Sequence, residues 1–152
     1  MEIERKFLVK TMPADLTQYK HLEIEQGYLC TDPVVRIRRQ NEEFILTYKS
    51  AGLMAREEYN LPLTAEAYAH LRPKTDGNYI SKTRYLIPLA PYTVELDVFH
   101  GDLAPLVLAE VEFPDVEEAE RFVPPAWFGE EVTYDGRYHN SFLSRYGLQN
   151  RT

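Results

Sequence analysis

The sequence predicts a mainly β protein of the α+β class, in which antiparallel strands close into a barrel with a charged lumen and helices pack on the outside. Three observations lead to this prediction. Segments rich in β-branched and aromatic residues carry charged side chains two positions apart, which is the spacing of one strand face. The residues between those charges are largely apolar. Helix-capping signatures lie in the gaps between these segments.

The first predicted strand shows the pattern most clearly. At the N-terminus Glu2, Glu4 and Lys6 project from one face, whereas Ile3 and Phe7 face the other way. Two carboxylates and one ammonium group on one face are unsuited to an apolar core. The combination is typical of a site that holds a metal ion together with the anion that the ion neutralises.

Six further segments repeat the pattern along the chain. Arg36 and Arg38 share one strand face, and a polar turn around Asn41 and Glu42 leads into a strand that ends at Lys49. The later charged faces carry, in chain order, Arg56 with Glu58 and Asn60, Lys82 with Arg84, Glu95 with Asp97, and Glu110 with Glu112. These segments predict antiparallel strands with one polar face each.

Four short helices are predicted between the strands, over residues 13–20, 65–71, 116–122 and 138–146. Thr64 is suited to cap the second of them. Asp115 and Glu118 form a capping-box signature at the start of the third. The apolar stripes of these helices need a surface to cover, and the apolar strand faces provide one.

The charged strand faces contain equal numbers of opposite charges. Their basic residues are Lys6, Arg36, Arg38, Lys49, Arg56, Lys82 and Arg84, and their acidic residues are Glu2, Glu4, Glu58, Glu95, Asp97, Glu110 and Glu112. The set is neutral, so the whole net charge of -7 lies outside it. Closing the sheet into a barrel brings these faces together as a polar lumen and turns the apolar faces outward toward the helices.

Length and composition predict one domain over residues 1–152, because 44% hydrophobic and 27% charged residues are ordinary for a globular chain. The sequence contains no apolar run of about 18 residues and no secretory signal pattern, which predicts a cytoplasmic protein without a membrane partner. Its acidic charge and pI near 5.1 offer no basic track for nucleic acid. We expect a monomer or a homodimer.

The ordered motifs resemble those of the CYTH domain of the triphosphate tunnel metalloenzymes. The resemblance begins with Glu-x-Glu-x-Lys at residues 2–6 and continues through Arg-x-Arg, a single Lys, Lys-x-Arg, Glu-x-Asp and Glu-x-Glu in that order. It extends into residues 26–29 and 135–140, and so covers nearly the whole chain. The sequence departs from the family pattern at Asn60, where relatives often carry another Glu.

The resemblance implies an eight-stranded antiparallel tunnel that binds a triphosphate-bearing small molecule with a divalent metal ion. Arg binds phosphate oxygens bidentately and Lys supplies a point charge. The expected phosphate ligands are therefore Lys6, Arg36, Arg38, Lys49, Arg56, Lys82 and Arg84.

Carboxylate oxygens suit Mg²⁺ or Mn²⁺, which are the expected cofactors. We expect Glu2, Glu4 and Glu112 to bind the metal directly, and Asp97 and Glu110 to bind it through water or to orient the attacking water. Glu58 and Glu95 complete the charged lumen.

The expected reaction is hydrolysis of a phosphoanhydride bond of inorganic triphosphate by metal-oriented water, which yields orthophosphate and diphosphate. The expected catalytic residues are Glu2, Glu4, Lys82 and Glu110. Two further candidates are the Tyr28 hydroxyl, as a proton acceptor or phosphate donor, and Arg137, which could close the tunnel over a phosphate.

Inorganic triphosphate is preferred because the chain is short for a family whose members with bulkier substrates often carry extra elements. The alternatives are a class IV type adenylate cyclase and a nucleoside or thiamine triphosphatase. A non-catalytic polyphosphate-binding module is a third alternative. It predicts a defective acidic set, whereas both Glu-x-Glu pairs are intact here.

Overall fold

The computed structural model describes residues 1–148, which contain ten strands and three α-helices. The strands are β1 (Glu2–Val9), β2 (Lys20–Thr31), β3 (Val34–Gln40), β4 (Glu43–Lys49), β5 (Ala55–Arg56), β6 (Glu58–Pro62), β7 (Asp76–Leu89), β8 (Tyr92–Phe99), β9 (Val107–Glu112) and β10 (Phe128–Glu131). The helices are α1 (Ala65–Leu71), α2 (Val116–Arg121) and α3 (Asn140–Tyr146).

The strands form an antiparallel sheet that curls into a nearly closed barrel. Around the ring the order is β1, β9, β8, β7, β2, β3, β4 and then β6 with β5. β6 pairs with β4, whereas β5 pairs with β1 and places Arg56 opposite Glu2. The ring therefore has eight positions, and the predicted barrel with external helices is confirmed.

The strand count within residues 1–148 differs from the predicted eight for two reasons. The eighth position is divided between β5 and β6, because the amide of Glu57 donates to Ser50 Oγ at 2.9 Å rather than to a neighbouring strand. In addition, β10 pairs with the second half of β1, where Glu131 lies opposite Phe7. β10 is only four residues long and lacks the charged alternation by which the other strands were predicted.

The outer faces of β1, β8 and β9 carry an apolar cluster, as the sequence predicts. Ile3, Phe7 and Leu96 are buried in it. Ala119 of α2 and Phe128 of β10 cover the cluster from outside. Burial of these side chains is the main force that holds the barrel wall to its outer layer.

The barrel interior is divided into a charged half and an apolar half. The inward face of β1 continues beyond Lys6 to Leu8, which lies opposite Leu108 of β9. The apolar cluster at this end consists of Tyr28, Val34, Ile80, Phe99, Leu103, Leu106, Leu108, Val132, Tyr138 and Leu143. The lumen is thus not charged along its whole length, because aromatic and aliphatic residues follow the charged ones on the same strand faces.

The helix predictions have mixed outcomes. α1 and α2 form where expected, with Thr64 and Asp115 as side-chain caps. The predicted helix over 13–20 is wrong, because the Asp15 side chain closes only a 3₁₀ turn at Leu16–Gln18. The last predicted helix begins at Asn140, since the residue before it has extended backbone angles. None of the helices in residues 1–148 is long and apolar enough to cross a membrane.

Candidate active site

The charged half of the barrel encloses a cavity of about 290 Å³. Its lining includes all but three of the residues that the sequence analysis selected, namely Glu2, Glu4, Lys6, Tyr28, Arg36, Arg38, Lys49, Arg56, Glu58, Arg84, Glu95, Glu110 and Glu112. Seven strands (β1–β4 and β7–β9) and the β5–β6 segment contribute these side chains. The fold therefore brings together residues that lie more than 100 positions apart in the sequence.

Two arginines of β3 face the cavity without a carboxylate partner among the described residues. Arg36 is 6% exposed and Arg38 is 9% exposed. The Nε atom of Arg36 is buried without a hydrogen-bond acceptor, and the Nε atom of Arg38 donates to Gln26 Oε1 at 2.8 Å. Burial, together with repulsion from Arg36 and Arg84, lowers the pKa of Arg38 to about 9. An anion between these guanidinium groups would relieve that repulsion.

A group of carboxylates occupies the wall opposite the arginines. Glu4 of β1 lies opposite Glu112 of β9. Burial, together with repulsion from Glu110 and Glu2, raises the pKa of Glu4 to about 8. Burial also raises the pKa of Glu112. Burial and repulsion from neighbouring carboxylates outweigh the attraction of Lys49 at both groups. The Arg56 Nη2 atom also lies near this wall, 4.0 Å from Glu4 Oε1.

Other lumen acids are paired with lumen bases. Lys49 Nζ lies 2.8 Å from Glu2 Oε1 and 3.4 Å from Glu58 Oε2. Lys6 Nζ lies 3.4 Å from Glu110 Oε1. Burial acts to raise the pKa of Glu110, but Lys6 and neighbouring cations outweigh it and hold this pKa well below its ordinary value. Near neutral pH the cavity thus contains an ionised Glu110 and a protonated Glu4.

The carboxylates suit a divalent metal ion in chemistry, although they do not form a ready-made cage. Among residues 1–148, no three Asp, Glu, His or Cys side chains stand close enough together to hold a metal ion. Glu2 Oε1 and Glu110 Oε1 are nevertheless buried, and the lysines beside them do not satisfy hydrogen-bond geometry. Carboxylate oxygens are preferred ligands of Mg²⁺ and Mn²⁺, and these two buried oxygens have no hydrogen bond that metal binding would break.

Lys82 and Asp97 lie beneath the cavity and do not line it. Their Nζ and Oδ2 atoms are 2.7 Å apart, and both side chains are fully buried. The strand register explains this depth, because Lys82 lies opposite Phe99 and Asp97 lies opposite Leu108, where the apolar half begins. The structure thus separates Lys82 from the predicted phosphate ligands and Asp97 from the predicted metal ligands.

Arg84 joins this buried pair to the cavity. Its guanidinium group donates to both oxygens of Asp97, at 2.7 and 3.0 Å, and to Glu95 Oε2 at 3.0 Å. Burial lowers the pKa of Lys82 to about 7. Burial acts to raise the pKa of Asp97, but Arg84 and Lys82 outweigh it, so the Asp97 carboxyl stays ionised. The arrangement supports the floor of the cavity.

Arg137 is the third predicted residue that the structure does not bring to the cavity. Its guanidinium group pairs with Asp135 Oδ2 at 2.6 Å, and 41% of its side chain is exposed. Asp135 also accepts from the backbone N–H of Arg137 and so caps the 3₁₀ turn at Gly136–Tyr138. This local capping holds Arg137 outside the lumen.

The lining also includes residues that the sequence analysis missed. Gln40 and Thr47 continue the period-two faces of β3 and β4, so the strand pattern could have identified them. His139, Asn140 and Ser141 come from the segment that enters α3, and no local pattern assigns them to the lumen. Burial, together with nearby positive charge, lowers the pKa of His139 to about 4, and this ring is therefore neutral near pH 7.

Comparison with known proteins supports the same kind of site. A family model described as the CYTH domain matches residues 1–137. An inorganic triphosphatase of Nitrosomonas europaea is 45% identical over 147 residues, which cover 94% of this chain and 96% of the relative. An inorganic triphosphatase of Acetivibrio thermocellus is 38% identical, and the alignment covers 98% of this chain and 96% of the relative.

A solved structure of an inorganic triphosphatase superimposes on this chain with a TM-score of 0.71 and 42% identity. The alignment covers 100% of this chain and 97% of the solved one. The similarity therefore extends over the barrel and its external elements together.

Proposed function

The chain belongs to the CYTH domain family, and we propose that it is a divalent-metal-dependent triphosphatase that hydrolyses a phosphoanhydride bond of inorganic triphosphate inside the barrel and releases phosphate. The observation that carries this proposal is the pair of buried arginines, Arg36 and Arg38, which face the cavity and lack a carboxylate partner among residues 1–148. Two uncompensated guanidinium groups in one small cavity are suited to a compact polyanion.

The phosphate chain would lie between the basic and acidic walls. Arg36 and Arg38 would bind phosphate oxygens through their N–H groups, and Lys6, Lys49, Arg56 and Arg84 would add charge around them. In the structure Lys6, Lys49 and Arg84 are ion-paired with lumen acids. Phosphate binding would therefore compete with these ion pairs. The carboxylates that lose their pairs would then require another cation to compensate their charge.

A divalent metal ion would compensate the charge of these carboxylates. Glu2, Glu4 and Glu112 are the side chains that would hold Mg²⁺ or Mn²⁺, because they line one wall and because the pKa values of Glu4 and Glu112 are raised. When bound, the ion supplies charge neutralisation at the phosphoryl group that is transferred. Phosphate release measured with each ion separately distinguishes Mg²⁺ from Mn²⁺.

Glu110 is suited to orient the attacking water. Its carboxyl group is buried in the cavity wall, and one oxygen has no hydrogen-bond partner among the described residues. Because its pKa is held low, the group is ionised and can accept a hydrogen bond from water at neutral pH. Positioning of water against the phosphorus atom is the main task in phosphoryl transfer.

Tyr28 is suited to donate a hydrogen bond to phosphate. Its hydroxyl oxygen accepts from Gln26 Nε2 at 3.3 Å, and Gln26 Oε1 in turn accepts from Arg38. This arrangement leaves the O–H hydrogen of Tyr28 available to the cavity that the side chain lines. We assign Tyr28 to substrate binding rather than to proton abstraction, since a phenol is a weak base at neutral pH.

The proposed substrate is tested by offering the purified protein inorganic triphosphate, diphosphate, ATP and thiamine triphosphate with Mg²⁺ or Mn²⁺. We expect the highest kcat/KM with inorganic triphosphate, and one phosphate and one diphosphate per substrate consumed. Chelation of the metal with EDTA is expected to abolish phosphate release. Dominant formation of cyclic AMP from ATP would identify a cyclase instead, and tight triphosphate binding without turnover would identify a binding module.

The raised pKa of Glu4 leads to a prediction for the metal-free protein. A carboxyl group with a pKa of 4.5 in the unfolded chain and about 8 in the folded protein retains its proton only in the folded state between these values. Its contribution to stability therefore falls as the pH rises through that window. We expect Glu4→Gln to gain in melting temperature relative to the wild type as the pH is raised from about 5 to about 8.

Metal binding is expected to reverse the order of the two melting temperatures, so that the wild type is more stable than Glu4→Gln. At pH 8, Mn²⁺ at about 100 times its Kd stabilises the folded state by about 2.7 kcal/mol. The wild type is expected to show this gain in melting temperature, and Glu4→Gln to show a smaller one. Glu57→Gln, an exposed carboxylate between β5 and β6, is the matched control. Equal metal-induced shifts in the wild type and Glu4→Gln would contradict the metal assignment.

The predicted cytoplasmic location, the absence of a nucleic-acid partner, the single domain over residues 1–152 and the monomeric or homodimeric state remain predictions from the sequence.

A further inference from the structure

We propose that Asn140 is a substrate-binding residue that seats the terminal phosphate of the substrate at the closed end of the barrel, through the N–H groups of its side-chain amide. The proposal rests on the triphosphatase function proposed above and extends it to the end of the phosphate chain that enters first. Asn140 is the first residue of α3, and its side chain carries no charge.

The orientation of the Asn140 amide follows from its partner. Lys82 Nζ lies 3.1 Å from Asn140 Oδ1. The ionised Asp97 carboxylate 2.7 Å from Nζ favours the ammonium form of Lys82, which only donates hydrogen bonds, so the amide turns its oxygen toward Lys82 and its Nδ2 atom away. No described residue accepts a hydrogen bond from Nδ2, and the side chain lines the cavity. Two N–H donors are therefore available to a ligand.

The amide is held in this orientation by buried charges. Lys82 is fully buried and is anchored by Asp97 at 2.7 Å. Asp97 is anchored in turn by two hydrogen bonds from Arg84. Lys82 does not line the cavity, whereas Asn140 does. Asn140 therefore presents fixed donors to the cavity at the point where the lysine itself does not reach it, and fixed donors bind an oxyanion with little reorganisation.

The position of Asn140 identifies the phosphate that it would contact. His139, Asn140 and Ser141 form one side of the cavity at the entry to α3. Two neighbours of this segment, Tyr138 and Leu143, belong to the apolar cluster that fills the other half of the barrel. A phosphate chain cannot continue through that cluster. The phosphate next to Asn140 is therefore a terminal one, and its free oxygens can accept the amide N–H groups.

The substitution Asn140→Asp separates this role from a structural one. Aspartate keeps an oxygen for Lys82 but replaces the N–H donors by a second oxygen, which repels phosphate. Asn140→Ala removes both groups. A role only in holding Lys82 predicts that Asp retains function better than Ala, whereas contact with phosphate predicts the reverse order.

The measurement is calorimetric titration with imidotriphosphate, whose bridging nitrogens resist hydrolysis, in the presence of Mg²⁺. Because a hydrogen bond to a charged group contributes about 1.5–3 kcal/mol, we expect Asn140→Ala to weaken binding about 10-fold and Asn140→Asp to weaken it about 100-fold. Arg145→Ala, an exposed substitution on the same helix, is expected to bind like the wild type. Melting temperatures of all variants, measured without ligand, control for folding.

Imidotriphosphate binding by Asn140→Asp as tight as that of the wild type would overturn the inference, even if the wild type hydrolyses triphosphate. A wild type that binds the analogue and shows the expected order of variants, but releases no phosphate from triphosphate, would overturn the proposed reaction and support the inference. A wild type that does not bind the analogue would overturn both.

Discussion

Replacing Arg38 by Gln is expected to lower kcat/KM for inorganic triphosphate about 100- to 1,000-fold, which is the usual effect of removing one donor to developing charge. The guanidinium group faces the cavity and has no carboxylate partner among residues 1–148. Its loss therefore breaks no ion pair within the protein; it removes the interaction with substrate and the hydrogen bond that Nε donates to Gln26 Oε1. Because burial and Arg36 already lower the pKa of Arg38, we expect the melting temperature to stay unchanged or to rise.

The matched control for this experiment is Arg39→Gln. Arg39 lies on the same strand one position further on, is exposed, and donates through Nε to the carbonyl of Asn41 at 3.0 Å. Its substitution removes the same charge from the outer face and is expected to leave kcat/KM within about twofold of the wild type. Similar losses of activity in both variants would mean that net charge, rather than a lumen contact, governs the rate.

Replacing Asp97 by Ala is expected to destabilise the protein by about 3–5 kcal/mol, the usual result of leaving a buried charge without its partner. Asp97 is fully buried and neutralises both Lys82 and Arg84. Without it the two cations repel each other in an environment of low polarity. Chemical denaturation followed by circular dichroism measures the loss, and Asp76→Ala, an exposed aspartate of β7, is the control.

A double variant keeps this prediction testable if Asp97→Ala does not fold. Lys82→Met combined with Asp97→Ala removes the buried charge at the same time as its partner, and we expect it to be more stable than Asp97→Ala alone. The wild-type value is not expected to be reached, because Arg84 also loses its contacts with Asp97. A single variant Asp97→Ala that unfolds at the denaturant concentration of the wild type would contradict the assignment of Asp97 to a structural ion pair.

Much of the fold was predictable because a strand places alternate residues on opposite faces. The spacing of Glu2, Glu4 and Lys6 was sufficient to assign their common face, and the apolar Ile3 and Phe7 were correctly assigned to the outside. The caps of α1 and α2 were predictable because Thr64 and Asp115 act on backbone groups only three residues away. These are local effects, and the local sequence contains the information they require.

Other elements were missed where the deciding contact is distant. β10 forms because it pairs with β1 across about 120 residues, and its four residues carry no strand pattern of their own. The helix expected over 13–20 reduces to a 3₁₀ turn, since Asp15 and Thr17 satisfy each other locally. Within the turn only the half-buried Leu16 packs against the outer apolar cluster. A helical pattern of a few residues does not form a helix unless packing supports it.

The sequence by itself determined which charged side chains share strand faces, and from this the neutral, charged lumen and its suitability for a metal ion and a polyanion. Only the tertiary structure decided how deep each residue lies. Period-two alternation assigns a side chain to a face of the sheet but does not determine its position along the barrel axis. Strand register, set by contacts between distant segments, buries Lys82 with Asp97, packing of α3 brings Asn140 to the cavity, and a local cap keeps Arg137 outside.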